Sequence, residues 1–372
     1  MYYARKQQKR IHPLMLRRII LLVVIAAAAA LFAYLFFFTD VLRGSASLHD
    51  LDRQISTTTE GSASGIVSLS DGTLTLCDYQ GKEVWTYAGD ASLDRLSVSD
   101  DVICTYSDTT ATFYDYGKTP LFSASMETPI SRTACGKEYV AVQVTQKQEA
   151  ATNSFIYVYD LTGTQTGTIE LPGKQVLDFG MYGTADSVWA LSLDTSGVVP
   201  ISYITTYKAD GTTTGSISIN TQLLEHVTVT DTQIFASGTN TLASFSYFGE
   251  AQDSTLIYGW RPYDQSVSAS ALKMLYVTRE SGALDQSAIY NVKYLDEHLN
   301  EIAIYFPEAV HYACVTQESI YAFANYNIYV YNNNGELQKT IEMDKPISAA
   351  KKISNQYAVV WDNETSYLLK LA

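Results

Sequence analysis

One short pattern recurs along most of this chain: an alternating run of apolar and polar residues, a tight turn, and a second alternating run. Its clearest copy is TLTLCDYQGKEVW at residues 73–85. Eight copies of the first run can be aligned, as TLTLCDYQG, ATFYDYG, FIYVYDLTG, ISYITTYKADG, TLASFSYFG, AIYNVKYLDEH, NIYVYNNNG and the final SYLLKLA. Alternation predicts half-buried β-strands, and the mean spacing of about 42 residues predicts a fold built from one repeated unit.

Each repeat contains enough alternating runs for a four-stranded sheet. The aligned run is followed by a second one, as in EVWTYA, and most copies are preceded by a third, as in IVSLS before Asp71. A shorter fourth run fills the remaining gap, as in LSVSD at residues 96–100. Four strands in a period of this length predict a β-propeller, in which each unit forms one blade. The 28 tyrosines and only 8 prolines fit an all-β chain.

The number of blades follows from a count of strand types. With strands A to D named from the centre outward, the sequence contains eight B-type and eight C-type runs but seven of A and seven of D. We therefore expect an eight-bladed β-propeller whose missing strands come from residues 48–64, which would join the closing blade. A seven-bladed ring is the alternative, because the first and last units are incomplete.

The blades must stack, because one four-stranded sheet alone cannot bury enough apolar surface to offset the entropy of ordering its chain. In a ring, each sheet covers its neighbours, which explains why a large apolar residue returns in strand D. The residues at this position are Trp85, Phe122, Ile169 and Ile217. Tight turns favour glycine with positive φ. The turn glycines are Gly81, Gly117, Gly163, Gly211, Gly249 and Gly335.

The N-terminal part of the chain predicts a membrane anchor. Residues 1–18 contain six basic and no acidic residues, and residues 19–38 form an uncharged apolar stretch long enough for one transmembrane helix. A cleavable signal peptide is the alternative, but its apolar region is usually shorter and ends in small residues. Residues 39–60 read as a Ser/Thr-rich tether whose later part could join a sheet, and residues 61–372 as the propeller. The basic end predicts a cytoplasmic N-terminus, a single-pass signal-anchor and an extracytoplasmic propeller.

The charge of the remaining chain excludes one class of partner. All 39 acidic residues lie beyond residue 38, together with only 19 of the 25 basic residues. So acidic a domain repels phosphate backbones, and we expect no nucleic-acid binding.

Residues 70–85, SDGTLTLCDYQGKEVW, resemble the repeat of quinoprotein-like (PQQ-repeat-like) propellers. YDLTG at 159–163 and YNNNGEL at 331–337 follow the pattern more loosely. Together with the basic tail, single span and tether, the chain resembles membrane-anchored propeller proteins of Gram-positive bacteria that contain a domain of unknown function. Propellers of this type also serve as non-catalytic scaffolds in bacterial envelope assembly, so the resemblance implies an interaction role. The adjacent half-cystines of quinone-dependent dehydrogenases are missing, and we expect no cofactor.

No motif in the sequence indicates catalysis or a metal site. The four cysteines, Cys77, Cys104, Cys135 and Cys314, stand singly, which favours buried free thiols; a Cys104–Cys135 bridge between adjoining blades is the alternative. The histidines show no ligand spacing, although His226 begins an A-type run and could line the central channel. Ser348 and Lys351 have the spacing of a serine acyl enzyme, but on a strand they point to opposite faces.

The connections from B to C and from D to A emerge at one common end of a propeller, and some of them are long. QKQEAATNS (146–154), DTSGVVP (194–200) and RESGALDQS (279–287) are long B-to-C links, and WRPYDQSVS after the fifth blade is interpreted as a D-to-A link. Large amphipathic residues favoured in binding sites occur there. The predicted interaction face comprises Trp260, Arg261, Tyr263, Asp264, Arg279 and Glu280. In the alternative interpretation, Trp260 caps a blade as Trp85 does.

These observations predict a non-catalytic scaffold that presents a rigid propeller to another envelope or membrane protein. A propeller that binds or cleaves cell-wall glycan is the alternative, since Trp260 and Tyr263 could stack on sugar rings. Cleavage would require two convergent carboxylates, for which Asp264, Glu280 and Asp285 are candidates. An outward sensor is disfavoured, because an 18-residue tail is too short for a catalytic domain.

Overall fold

The protein is all-β and forms an eight-bladed β-propeller in the computed structural model, which describes residues 27, 47–51, 54–148, 151–183, 186–268, 271–279 and 288–371. Eight antiparallel sheets of four strands each follow one another along the chain. The eight-bladed prediction is therefore confirmed, and the seven-bladed alternative is wrong.

The first strand, β1, is Ser47–Asp50, and blade 1 comprises β2 Thr59–Ser62, β3 Gly65–Ser70, β4 Thr73–Cys77 and β5 Glu83–Ala88. Blade 2 comprises β6 Arg95–Val98, β7 Ile103–Tyr106, β8 Thr110–Tyr114 and β9 Pro120–Ser125, and blade 3 comprises β10 Ile130–Cys135, β11 Tyr139–Gln148, β12 Ala151–Asp160 and β13 Gln165–Leu171. Blade 4 comprises β14 Lys174–Tyr182, β15 Ser187–Asp194, β16 Ile201–Tyr207 and β17 Thr213–Ile219.

In the second half, blade 5 comprises β18 Leu224–Val229, β19 Gln233–Gly238, β20 Thr241–Ser246 and β21 Ala251–Leu256. Blade 6 comprises β22 Trp260–Val267, β23 Leu272–Thr278, β24 Ile289–Leu295 and β25 Glu301–Val310, and blade 7 comprises β26 Tyr312–Val315, β27 Ser319–Phe323, β28 Asn327–Asn332 and β29 Leu337–Glu342. Blade 8 contains β30 Ala349–Lys352, β31 Tyr357–Trp361 and β32 Ser366–Lys370.

The ring is closed by the N-terminal part of the described chain. β1 pairs with β32 as the outer strand of blade 8, and β2 is the inner strand of blade 1. These two strands are the A and D strands that the sequence count left missing. On the inner side, the Lys351 amine donates to the Thr59 carbonyl at 2.7 Å and contacts Glu60 at 3.0 Å, which joins blade 8 to blade 1.

The core is distributed between the blades. In the described chain, seven clusters of buried apolar side chains each bridge two neighbouring blades. The strand-D residues chosen from the sequence belong to them: Ile169 and Ile217 are buried, while Trp85 and Phe122 pack partly buried against theirs. Burying one large apolar side chain contributes about 1.5–3 kcal/mol, so these interfaces are a main source of the ring's stability.

The turn between strands C and D has a common geometry. The last residue of strand C, or the one after it, accepts a backbone N–H from the residue three positions on, as Gly81 donates to the Asp78 carbonyl at 3.0 Å. That third residue has positive φ in seven blades: Gly81, Lys118, Gly163, Gly211, Gly249, Leu299 and Gly335. The prediction for Gly117 is wrong, because Gly117 lies one position too early and Lys118 takes the left-handed conformation.

A tyrosine follows strand C in three blades and ties the sheet together. The hydroxyls of Tyr79 and Tyr116 donate to the carbonyls of Ser62 and Ser99, at 2.7 and 2.6 Å, and Tyr247 donates to that of Thr230. In each pair the two residues are 17 positions apart. This tie explains part of the high tyrosine content.

Two stretches predicted as loops are strands. WRPYDQSV forms the inner strand β22, because Gly259, with φ of 83°, turns the chain one residue before Trp260. QKQEAATNS mostly extends the β11–β12 hairpin, in which Gln146 pairs with Asn153. By contrast, residues 195–200 do form a loop between β15 and β16.

The predicted transmembrane segment at 19–38 lies, apart from Ala27, outside the described residues. Within the described part of the chain, no helix has the length and apolar character needed to cross a membrane.

Candidate interaction surface

The antiparallel order of the strands defines two ends of the propeller. The B-to-C and D-to-A connections lie at one end, called here the B–C end, and the A-to-B and C-to-D turns lie at the other, called the A–B end. The residues predicted from sequence lie in blade 6, on the inner strand β22 and at the end of β23. Glu280 and Asp285 lie outside the described residues.

Trp260 and Arg279 form the B–C end of blade 6. The Trp260 side chain packs against the apolar cluster between blades 5 and 6, and the Lys293 ammonium lies 5.3 Å from the centroid of its ring. Arg279 Nε donates to the Trp260 carbonyl at 3.0 Å, and its Nη2 pairs with Glu225 of blade 5. Through these contacts the Trp260 ring packs at the interface between blades 5 and 6, and Arg279 joins the same two blades.

Asp264 serves mainly to join blades 6, 7 and 8. Its carboxylate accepts the Val315 N–H at 2.8 Å and the Lys352 ammonium at 2.6 Å. Lys352 also donates to the carbonyls of Gln265 and Val315, and both charged side chains are largely buried. Both contacts are made by the same carboxylate oxygen, Oδ2, and they hold Asp264 between three blades, which favours a structural role.

A polar chain continues along the inner strands of blades 3 to 6. Arg132 of β10 pairs with Asp178 of β14, and His226 of β18 lies 3.8 Å from the same carboxylate and 3.1 Å from the amide oxygen of Gln265. Burial raises the pKa of Asp178, although Arg132 and His226 oppose the shift. His226 thus lies on an inner strand, as its A-type run predicted.

A cavity of about 350 Å³ opens between the inner strands of blades 5 and 6. Its lining includes Arg261, Tyr263 and Asp264 from the predicted face and Glu225 and His226 from blade 5. Burial raises the pKa of Tyr263 to about 12, so its hydroxyl stays protonated at neutral pH. The structure therefore brings three predicted residues together at one cavity, in which Arg261 is the exposed member.

Sequence reasoning missed the exposed apolar residues of the B–C end. Twelve large apolar side chains are exposed in the described chain, and eight of them lie at or near this end of blades 4 to 7. They are Leu177, Val198, Val199, Leu223, Leu256, Tyr258, Tyr290 and Tyr326. Val198 is fully exposed and Tyr258 is 79% exposed. We call these eight residues the apolar rim. Single exposed apolar residues are ordinary, but eight at one end of four successive blades make this end a candidate interaction surface.

A second cleft, of about 540 Å³, lies at the A–B end of blades 3 to 5. Tyr139, Tyr182 and Tyr247 line it, together with Lys208 and Asp210. The rings of Tyr182 and Tyr247 are almost parallel, with centroids 5.8 Å apart. Aromatic faces beside charged and hydroxyl groups are suited to sugars, but the Tyr247 hydroxyl is already used by the Thr230 carbonyl.

The remaining candidates for chemistry are the cysteines and the pair formed by Ser348 and Lys351. All four cysteines are thiols rather than disulfides in the structure, and all but Cys135 are buried as the sequence predicted. The Ser348 hydroxyl donates to the Trp361 carbonyl at 3.1 Å, whereas the Lys351 amine contacts blade 1, so the two do not form a nucleophile and base. In the described part of the chain, no three His, Cys, Asp or Glu side chains form a group that could hold a metal ion.

The class of protein that this fold defines is the β-propeller, and solved structures of that class are similar to this chain. BamB from Moraxella catarrhalis is 12% identical, with a TM-score of 0.55, and the match covers 87% of this chain and 98% of that one. The WD40 domain of SCAP from fission yeast is 10% identical, with a TM-score of 0.59 and the same coverage. Hsv2 from Kluyveromyces lactis is 8% identical, with a TM-score of 0.50, over 80% of this chain and 100% of that one.

These similarities establish the propeller fold. No protein-family description and no curated protein sequence matches the chain.

Proposed function

We propose that this protein is a non-catalytic, membrane-anchored propeller that acts as a protein-interaction scaffold at the bacterial cell envelope. The observation that carries the scaffold role is the apolar rim at the B–C end of blades 4 to 7. The folded ring does not need these side chains for its core, and water makes their exposure unfavourable. A partner protein that covers them would remove this cost.

The surface around the rim supplies the polar part of such an interface. Arg261 is exposed at the mouth of the inner cavity, and Tyr263 lies partly buried beside it. Interfaces commonly combine an apolar centre with aromatic and arginine residues that give strong polar contacts. We expect the partner to contact the rim and to place a polar or acidic group near Arg261.

The membrane and envelope parts of the proposal rest on the sequence. The apolar stretch at 19–38, the basic residues before it and the resemblance to quinoprotein-like, membrane-anchored propellers of Gram-positive bacteria support an anchor with the propeller outside the cytoplasm. Protease added to intact cells should then digest the propeller and leave a cytoplasmic marker whole. Full protection of the propeller would contradict this location.

The scaffold role is tested by photocrosslinking in intact cells. A photoreactive phenylalanine analogue is placed at Val198 or Tyr258 of the rim and, as a matched control, at Phe248, which is 94% exposed at the opposite end. We expect one protein to be captured from the rim positions only. Its purified form should bind the propeller, and Val198→Ser with Tyr258→Ser should weaken binding at least about tenfold, whereas Phe248→Ser should not.

Equal capture from Phe248, or binding that is unchanged in the rim variant, would contradict the proposal. Trp260→Ala is a poor test, because Trp260 packs into the blade and its loss would disturb the fold.

The alternative, a propeller that binds cell-wall glycan, is favoured by the tyrosine-lined cleft at the A–B end. Calorimetric titration with an oligomer of N-acetylglucosamine would test it. Binding that is lost in Tyr182→Ala but kept in the rim variant would support this function, and no heat at millimolar sugar would count against it. The three candidate carboxylates give glycan cleavage no structural support, since Asp264 is bound to Lys352 and the other two lie outside the described residues.

A further inference from the structure

Two cysteines from adjoining blades lie close together at the interface between blades 2 and 3. Cys104 is in β7 of blade 2, and Cys135 is the last residue of β10, the inner strand of blade 3. The Cys135 Sγ lies 3.7 Å from the Ser97 carbonyl oxygen, and Ser97 is the cross-strand partner of Cys104. Cys135 packs against the apolar cluster that contains Cys104, so both side chains lie at the interface between blades 2 and 3.

The two thiols differ in their access to solvent. Cys104 is fully buried, whereas Cys135 is only partly buried. A small molecule in solution therefore reaches Cys135 first, and Cys104 is in a position to react only with its neighbour. The other two cysteines, Cys77 and Cys314, are buried in blades 1 and 7.

We propose that Cys104 and Cys135 are a disulfide-forming pair that joins blade 2 to blade 3 when the protein meets a small-molecule disulfide such as oxidised glutathione. The Cys135 thiolate attacks one sulfur of the reagent, which forms a mixed disulfide and releases one glutathione thiolate. The Cys104 thiolate then attacks the Cys135 sulfur, which forms the protein disulfide and releases the second glutathione. The protein loses two hydrogen atoms, and one glutathione disulfide is reduced to two thiols.

The geometry suits this bond. A disulfide requires the two β-carbons to lie about 3.5–4.5 Å apart. The Cys135 sulfur lies beside Ser97, which is directly opposite Cys104 in the sheet, so the two cysteines are at the same level of the interface between the blades. Both cysteines lie on strands of the rigid ring, so little further ordering of the chain is required. The bond would prevent the inner edges of the two blades from separating.

The second step should depend on pH. Burial raises the pKa of the Cys104 thiol, and this effect remains in the mixed disulfide, in which Cys135 no longer carries an ionisable thiol. Besides Cys135 from β10, the ionisable groups near it are Tyr106 of its own strand and Tyr114 of β8, whose pKa values are also raised by burial. Only the thiolate attacks, so the rate of closure should increase about tenfold per pH unit below the pKa.

The experiment incubates the full-length protein with oxidised glutathione at about pH 7 and about pH 8.5, blocks free thiols and maps tryptic peptides by mass spectrometry. We expect residues 96–118 to be linked to residues 133–137, with closure faster at the higher pH. Cys104→Ala should keep glutathione on Cys135, and Cys135→Ala should leave Cys104 unmodified. The matched control Cys77→Ala with Cys314→Ala should retain the bond.

Thermal unfolding gives a second readout. The cross-linked protein should melt a few degrees higher than the reduced protein, and reduction should reverse the change. The proposal fails if glutathione remains on Cys135 at both pH values, if Cys135 does not react in the folded protein, or if Cys104 links to another cysteine. None of these outcomes depends on the apolar rim or on its partner, so the scaffold proposal is tested separately.

Discussion

Asp362 shows how a single buried charge is stabilised in this fold. It lies in the turn between β31 and β32, where its carboxylate accepts the N–H groups of Glu364 and Thr365, both at 2.6 Å. The hydroxyls of Thr365 and Tyr367 donate to its second oxygen. Burial alone would raise the pKa of Asp362, but these donors outweigh burial and hold the pKa well below its ordinary value.

A pH dependence of stability follows from Asp362. A carboxylate whose pKa is lower in the folded than in the unfolded state stabilises the fold above its unfolded pKa of about 3.9, and this contribution is lost as the pH falls below that value. Asp362→Asn should cost about 1–3 kcal/mol at pH 7, because the amide replaces one acceptor by a donor that faces hydroxyl groups. The difference from wild type should shrink between about pH 5 and pH 2.

Urea unfolding of both proteins at several pH values measures this difference. Asp90→Asn is the matched control, because Asp90 accepts the Ser92 N–H at 2.9 Å in an exposed turn. A pH-independent difference between wild type and Asp362→Asn would contradict the role of the buried charge.

At the scale of the element, the C-to-D turn of one blade packs on strand D of the blade before it. A β-carbon at Gly211 would lie 2.8 Å from the Thr168 carbonyl oxygen of blade 3, and one at Gly163 would lie 3.0 Å from the Phe122 side chain of blade 2. The glycine in these turns is therefore required twice, for its positive φ and for the close approach of the neighbouring blade.

These two requirements can be separated by a matched pair of substitutions. Gly211 and Gly259 have nearly the same φ, 84° and 83°, but a β-carbon at Gly259 would meet nothing within 4 Å. Gly259→Ala should cost about 1–2 kcal/mol through backbone strain alone. Gly211→Ala should cost at least about 1 kcal/mol more, because blades 3 and 4 must move apart. Urea unfolding measures both, and equal costs would show that the contact between blades is unimportant.

The same turns show how much the sequence could predict. The length of the repeat and the alternation of apolar and polar residues can be read directly from the sequence. The number of blades, the type of each strand and the missing A and D strands therefore followed from counting the alternating runs. The prediction for Gly117 was wrong because a glycine was assumed to be the turn residue with positive φ. In the structure that residue is set by its distance from the end of strand C, and in this blade it is Lys118. WRPYDQSV was misassigned because its alternation is interrupted by Pro262, and the turn at Gly259 was not recognised.

The candidate site was less predictable because it depends on contacts between distant residues. Asp264 was chosen as a possible ligand-binding carboxylate, but its partner Lys352 is 88 positions away and belongs to another blade. The exposure of Val198 and Tyr258 could not be recognised either, because an apolar residue in a link has no periodicity that shows whether it is covered. Such contacts and exposures depend on the folded ring and leave no local pattern in the sequence.

At the scale of the whole molecule, the ring is closed by a segment from each end of the propeller. β1 covers the outer edge of β32, and Leu51 and Ile55 enter the apolar cluster between blades 8 and 1. The Trp361 indole donates to the Ile55 carbonyl at 2.7 Å, and the Ser366 hydroxyl accepts the Ile55 N–H at 2.9 Å. Strands from both chain ends in one sheet make opening of the ring a cooperative event, because the last blade cannot separate without breaking them.

Removal of β1 should therefore weaken the closing blade more than the others. A chain that begins at Leu51 lacks the outer strand of blade 8, whereas a chain that begins at Ser47 retains it and serves as the control. We expect the shorter chain to melt several degrees lower and the amides of β32 to lose protection from hydrogen exchange, because an uncovered edge strand opens locally. Protection of β28 in blade 7 should change much less. If the two chains have equal melting temperatures and equal exchange in β32, the pairing of β1 does not hold the ring closed, and the contacts of Leu51, Ile55 and Lys351 must suffice for closure.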